Sequence, residues 1–434
     1  MFTRLVALLA VPAVLVAQEP SEARYISLEE AIRLAQVNSP AAVQARNNIR
    51  TRSMAVRGAY MDFLPTLSAN LGLSRPLDRI DPNEDDDDPG KRYWQHTSSI
   101  SASMTLFEPA RIYAVGQAKL QLESAEASER SQRYNTSLQV KQQFFNALNA
   151  RESEAAARAA LATADQSYKA ATARVRAGSA IRPDSLRAYI AYQNAFIRLL
   201  SAQNSARQAS AALTRLVGST TPVQADPADT ANFAFIAIDS AALVAALDQA
   251  PTVESQKISL DLQKYSRKLA ISQYWPRLSS LSWSRGGRGL GFYGLDDLPY
   301  TYERANYTTG ITLSIPIWTN LNREDGLVSA RIALENAEVG FRDQLAQLHV
   351  QLAQYIGQLR TTEAQIRVQE LALAAAEEDL RIVQLRYDLG AETLLSVSTS
   401  QDALNSARQN LISQRHTYRI ARAQIEALIG RDLQ

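Results

Sequence analysis

From Leu345 to Tyr387 the apolar positions recur at alternating intervals of three and four: Leu345, Leu348, Leu352, Tyr355, Leu359, Thr362, Ile366, Gln369, Leu373, Ala376, Leu380, Val383 and Tyr387, with only Thr362 and Gln369 polar. That period is the seam of a coiled coil. At 1.5 Å per residue it predicts a helix of roughly 64 Å. Tyr134, Leu138, Lys141, Phe145 and Leu148 show related spacing, followed by an alanine-rich run that permits close helix approach. Ser27 with Glu30 three residues on has capping-box spacing and predicts a helix from Ser27 to about Tyr60, broken at Pro40.

Between these helical stretches the period drops to two. Leu67, Ala69, Leu71 and Leu73 alternate with Thr66, Ser68, Asn70 and Gly72, and Ile100, Ala102, Met104 and Leu106 alternate with Ser99, Ser101, Ser103 and Thr105. Leu281 and Trp283 mark a third strand over Arg277–Ser284. Tyr307, Thr309, Ile311, Leu313, Ile315 and Ile317 mark a fourth, opposite Thr308, Gly310, Thr312 and Ser314. Each hairpin has one apolar face and one face of small polar residues. The aromatics Tyr93, Trp94, Trp283, Tyr300, Tyr302 and Tyr307 cluster toward the loop ends. This is the pattern of outer-membrane barrel strands. Four strands cannot close a barrel, and open edges are not tolerated in lipid, so several chains must share one.

The same landmarks come twice. Pro40, Pro65 and Phe107 recur as Pro251, Pro276 and Trp318, each 211 residues on, and Gly178 and Gly218 recur as Gly390 and Gly430, each 212 on. Two internal tandem repeats follow, each a strand hairpin, a long helix out, a glycine-marked turn and a helix back.

Composition narrows the function. The net charge of +2 gives no general attraction for nucleic acid. With no cysteine there is no thiol catalysis, disulfide or Cys-based metal site. His96, His349 and His416 lie far apart, without metal-motif spacing, and His349 beside the seam reads as solvated. Arg4, the apolar run Leu5–Ala17 and the polar Gln18-Glu19-Pro20 predict a signal peptide cleaved after Ala17. Asp81, Asn83, Asp85 and Asp87 alternate like a calcium loop but lack its glycine and final glutamate, so a solvated surface loop is expected. The glycine-rich segment Arg285–Gly291 lacks the Lys-Ser/Thr ending of a phosphate loop and is expected to be a flexible external loop, running on to about Glu303. No G-x-S-x-G or comparable arrangement points to a hydrolase.

The Pro-opened hairpins, the Leu-Phe and Pro-Ile-Trp strand-to-helix junctions, and the two tips Arg174-Val-Arg-Ala-Gly178 and Arg386-Tyr-Asp-Leu-Gly390 carry a resemblance over about Ser27 to Gly430. The chain resembles the TolC-like outer-membrane efflux protein family. The resemblance implies a mainly α fold with a membrane β-barrel: a long antiparallel coiled-coil α-barrel plus four β-strands per protomer, in a homotrimer sharing twelve strands. It implies a passive exit duct for efflux or type I secretion, in outer-membrane lipid with a long periplasmic extension. The implied partners are a periplasmic adaptor (membrane fusion) protein and an inner-membrane pump. No catalytic residue, cofactor, metal or nucleic acid is implied.

On this plan residues 1–17 are the signal peptide and 18–64 the N-terminal helices. Residues 65–107 form the first β-hairpin and 108–218 the first periplasmic helical hairpin. The linker and equatorial helices follow at 219–275, the second β-hairpin at 276–318 and the second helical hairpin at 319–434. By the same resemblance Arg174, Gly178, Arg386 and Gly390 are adaptor-contact tips. The periplasmic entrance falls to Asp184, Tyr387, Glu392, Ser396 and Thr399. The chain departs from the family's pattern at Glu392, where a basic residue is usual, and at Ser396 and Thr399, where acids are usual. Hydroxyl dipoles in place of charges predict an entrance less selective for cations. Other readings compete: Gly178 and Gly390 as ordinary left-handed helix caps, Asp184 as a cap of the returning helix, and Tyr387 as a packing residue of the heptad. The alternative for the whole chain is a periplasmic coiled-coil scaffold or adaptor without a membrane barrel.

Overall fold

The computed structural model describes residues 24–74, 95–230, 234–290 and 304–433. The expected signal peptide, the acidic stretch 81–88 and the residues Tyr93, Trp94, Gly291, Tyr300 and Tyr302 lie outside them. The order is β1 (Arg24–Ile26), α1 (Leu28–Asn38), α2 (Pro40–Met61), β2 (Thr66–Ser74), β3 (Gln95–Met104), α3 (Pro109–Arg176) and α4 (Arg182–Val217). It continues with β4 (Val223–Ala225), a short helical turn Pro227–Thr230, α5 (Ser240–Asp248), α6 (Pro251–Ser272), β5 (Arg277–Leu290), β6 (Arg304–Ser314), α7 (Asn322–Asp388) and α8 (Leu394–Ile429). The chain is mostly helical. Among the described residues no helix is long and apolar enough to cross a membrane.

Two compact units divide the chain: Met1–Val43 with Arg133–Leu243 and Leu352–Gln434, and Gln44–Gln132 with Val244–Gln351. In the first, α1 starts where its sequence says: the Ser27 hydroxyl accepts from the Glu30 N–H at 3.3 Å. The Glu30 carboxylate meets Arg24 at 2.6 Å. The parallel pair β1–β4 lies over Val140, Phe144 and Leu148 of α3 and Leu213 and Val217 of α4, all of which are buried with Ile26 and Val223. On α7 the heptad is buried at Leu352, Leu359, Thr362 and Ile366. The Thr362 hydroxyl is satisfied by the Gln358 carbonyl at 2.7 Å, which lets a polar group sit in the seam. A buried pair, Lys141 to Glu426 at 2.6 Å, ties α3 to the end of α8. α4 and α8 are each 36 residues long and stop at Gly218 and Gly430 in the left-handed conformation, φ 71° and 66°. At Gly218 a Cβ would come within 2.9 Å of the Asn38 Cβ, so glycine is required there twice over.

The second unit holds a four-stranded antiparallel sheet in the order β2-β3-β5-β6. Its register aligns like with like. Leu67, Ala102, Trp283 and Thr309 form one row across the sheet, and Met104, Leu281 and Ile311 another. Thr66, Ser103, Ser282 and Gly310 form a row on the opposite face, and there Ser68 and Ser101 share a hydroxyl hydrogen bond at 2.7 Å.

Two strand boundaries differ from expectation. The glycine-rich segment is not loop from Arg285: β5 continues to Leu290, because Gly286 and Gly287 pair with Ser99 and Ser98 on one side and with Asn306 and Ala305 on the other. A ladder needs backbone groups, and a central strand offers partners on both sides. At the other end the alternation through Ile317 outruns the strand, which stops at Ser314, where Pro316 removes a donor. His349, expected to be merely solvated, has Nε2 3.4 Å from the Asp248 carboxylate.

Candidate functional site: the paired helix tips

The first tip closes by backbone hydrogen bonds and by the Ser179 hydroxyl, which donates to the Arg174 carbonyl at 3.1 Å. The Gly178 N–H donates to Val175 and the Ser179 N–H to Arg174, with Gly178 at φ 73°. The second repeats this with Gly390 donating to Tyr387 and Ala391 to Arg386, at φ 76°. This is the glycine-terminated helix stop that satisfies the last carbonyls. Nothing lies within 4 Å of a Cβ built at either glycine. Glycine is therefore needed for its backbone conformation alone, and the space outside each tip is open.

The helices leave these turns differently. α4 begins behind Ile181, whose side chain caps nothing, with Pro183 in the first turn. Asp184 is not the cap. It sits inside the first turn, where its charge favours the helix N-terminus, and lies 3.6 Å from Arg187. α8 begins with a true cap: the Thr393 hydroxyl accepts from the Ser396 N–H at 3.2 Å. The Ser396 hydroxyl donates to Glu392 at 2.6 Å, and the Thr399 hydroxyl donates to the Leu395 carbonyl at 2.9 Å. The donation from Ser396, then the Thr393 N–H, then the nearby Arg386 charge hold the Glu392 carboxyl below its ordinary range. Both hydroxyls at the expected acid positions thus spend their protons locally.

The structure brings Arg174 and Tyr387 together. The Arg174 guanidinium lies 4.4 Å from the Tyr387 ring centre, and its Nη2 donates to the Asp388 carboxylate at 3.0 Å. One side chain from the first tip therefore holds two from the second, by stacking and by charge. Sequence reading had placed Arg174 and Tyr387 in separate roles and missed Asp388. Glu392, Ser396 and Thr399 gather at the start of α8, whereas Asp184 keeps to the first tip and Arg386 is exposed beside the second.

Below the tips, α3 and α8 are linked by Gln401 to Ser167 at 3.4 Å and Gln409 to Ser153 at 3.1 Å. α7 and α8 are linked by Ser400 to Asp379 at 2.6 Å, Arg408 to Glu377 at 3.1 Å and Arg415 to Glu370 at 2.9 Å. These contacts set the register of the tips. Among the described residues no three His, Asp or Glu side chains gather as metal ligands.

A family model described as "Outer membrane efflux protein" matches residues 31–219 and 242–431. The outer membrane protein TolC of Vibrio cholerae is 22% identical over 411 residues, covering 93% of this chain and 90% of that protein. The alkaline protease secretion protein AprF of Pseudomonas aeruginosa is 23% identical over 418 residues, 93% of this chain and 84% of that one. Among solved structures, the open state of the MtrE outer membrane channel of Neisseria gonorrhoeae superposes with a TM-score of 0.74 at 19% identity, over 94% of this chain and 89% of that one.

Proposed function

Because the chain belongs to the outer membrane efflux protein family, whose members are outer-membrane channels and not enzymes, we propose that it is the passive exit duct of a tripartite efflux or type I secretion system. Three copies share one twelve-stranded barrel in outer-membrane lipid, and their helices form a periplasmic tunnel. An inner-membrane pump supplies the energy, and a periplasmic adaptor joins pump to duct at the tips Arg174, Gly178, Arg386 and Gly390. Asp184, Tyr387, Glu392, Ser396 and Thr399 border the entrance.

The observation that carries this reading is the sheet. Among the described residues β2 and β6 each have one partner. One face carries Leu67, Leu71, Ile311 and Leu313, all more than half exposed. Such a sheet is stable in lipid only when further strands close it. The helices support the same stoichiometry. Leu186, Ile190, Ile197 and Leu200 on α4, and Val368, Leu371, Leu385 and Leu389 on α7, lie exposed at coiled-coil spacing. Among the described residues these seams have no occupant, and copies of the chain fill them in a ring.

Light scattering of the detergent-solubilised protein, corrected for bound detergent, tests the proposal. Three chains per particle, with stepwise conductance in planar bilayers, are expected. A monomer or dimer absent from outer membranes overturns it and favours the scaffold reading. At the entrance, weak cation preference is expected from reversal potentials. A strong preference abolished by Ser396→Ala would contradict the dipole argument.

A further inference from the structure

On the apolar face of the sheet, Arg285 is the one Asp, Glu, Lys or Arg among the described residues. It stands in a row with Ala69, Ile100 and Tyr307. The guanidinium lies 5.8 Å from the centre of the exposed Tyr307 ring, and no carboxylate among the described residues meets it. β5 is hydrogen-bonded to β3 on one side and to β6 on the other. Strands from other copies therefore cannot cover Arg285; they can add only beyond β2 and β6. The next positions outward on the same face of β5 are Gly287 and Gly289, which add no side chain.

Strand geometry gives the level of this row. The helices α2, α3, α6 and α7 all join the sheet at its opposite end, next to Thr66, Met104, Arg277 and Ser314. From Ile315 to Tyr307 the chain rises roughly 20 Å, at about 3.4 Å per residue and a tilt of about 40°. Ile317, Trp318 and Trp275 lie exposed beyond Ile315 on the helical side. On β5 and β6 the apolar surface therefore ends at Arg285 and Tyr307, after about the 25 Å height of an outer-membrane band. An arginine facing lipid costs about 2–4 kcal/mol at mid-depth but only about 0–1 near the interface, where aromatic rings also gather. The level of Arg285 is thus that of the headgroups in the leaflet farthest from the helices.

We infer that Arg285, stacked on Tyr307, binds the phosphate of an anionic lipid in that leaflet. The inference rests on the proposed lipid-facing sheet. A planar guanidinium fork matches two oxygens of one phosphate, and stacking on the ring holds the fork in place. Gly287 and Gly289 leave room for the headgroup above it. A zwitterionic headgroup brings its own cation to the same phosphate, so an anionic lipid is preferred.

The test reconstitutes the full chain in phosphatidylcholine vesicles that contain brominated phosphatidic acid or brominated phosphatidylcholine. Quenching of Trp283, which precedes Arg285 on the same face of β5, is followed, and Trp283→Phe isolates its share of the signal. Quenching by brominated phosphatidylcholine reports that the face lies in lipid, whatever Arg285 does. The preference for phosphatidic acid reports the site. Association about fivefold tighter than that of phosphatidylcholine is expected. The preference disappears in Arg285→Gln, falls part-way in Arg285→Lys, which keeps charge without the fork, and drops about twofold in Tyr307→Leu. Equal quenching by the two lipids, or a preference that survives Arg285→Gln, overturns the inference and leaves the duct untouched. Loss of the preference in millimolar inorganic phosphate would assign the site to a free anion and overturn the lipid. No quenching by either lipid overturns the lipid-facing sheet and this inference with it.

Discussion

Replacing Arg174 by alanine removes a side chain that joins the two tips of a chain by two contacts. Its ion pair with Asp388 is partly solvated, with the two side chains 34% and 52% exposed, so it contributes about 0.5 kcal/mol. Its stacking on Tyr387 at 4.4 Å adds about 1 kcal/mol. Together these make about 1.5 kcal/mol, or about a tenfold shift per chain in the balance between joined and parted tips. If the tips border the entrance as proposed, Arg174→Ala raises the fraction of time spent in the high-conductance state by about that factor, measured in single-channel records. Arg174→Lys keeps the charge but loses the planar stack, and so falls between the two. An unchanged open fraction in Arg174→Ala, with the assembly intact by light scattering, would refute the reasoning.

The buried pair at the end of α8 should prove more costly to break. Glu426→Ala removes the carboxylate that both Lys141 and Arg422 meet, leaves Lys141 only the exposed Asp432 at 3.3 Å, and is expected to destabilise the helical unit by about 2–3 kcal/mol, read as loss of helical circular dichroism at lower denaturant. The two kinds of glycine should separate: Gly178→Ala costs about 1–2 kcal/mol for its left-handed backbone, whereas Gly218→Ala costs more because its Cβ also strikes Asn38, and equal costs would undo that distinction. The Glu392 carboxyl lies below its ordinary value of 4.5, so its contribution to the tip is complete above that value and lost as pH falls through the lowered one. Ser396→Ala removes the leading cause, and the NMR titration of Glu392 should then move upward; a midpoint that stays put would remove Ser396 as the cause.

Local chemistry was the part that could be read along the chain. Ser27, Pro40, Gly178 and Gly390 act on their own turns, and the structure places helix boundaries at each of them. The heptad on α7 announced its buried face because a period survives without knowledge of the partner. The link from Glu392 to Ser396 was within reach, since Thr393 reads as a helix cap and sets the acid just before it beside the first turn that holds Ser396, but the family's pattern points to missing charge instead. Arg285–Leu290 misled because glycine is scarce in strands that must pack side chains, and here pairing on both sides outweighs that. The grip of Arg174 on Tyr387 and Asp388 joins residues 214 apart in sequence, and no local pattern encodes it.

Among the described residues β2 and β6 each have an unpaired edge, and on the proposed shared barrel this bears on the order of events during biogenesis. A chain whose sheet stops at four strands cannot enter lipid alone without carrying bare N–H and C=O groups into hydrocarbon. If copies share one barrel as proposed, their meeting must precede or accompany insertion. On the proposed stoichiometry the appearance of mature channels then rises more steeply than linearly with the concentration of newly exported chains. On the same proposal a single chain held below that concentration remains outside the bilayer, however well its helices have folded.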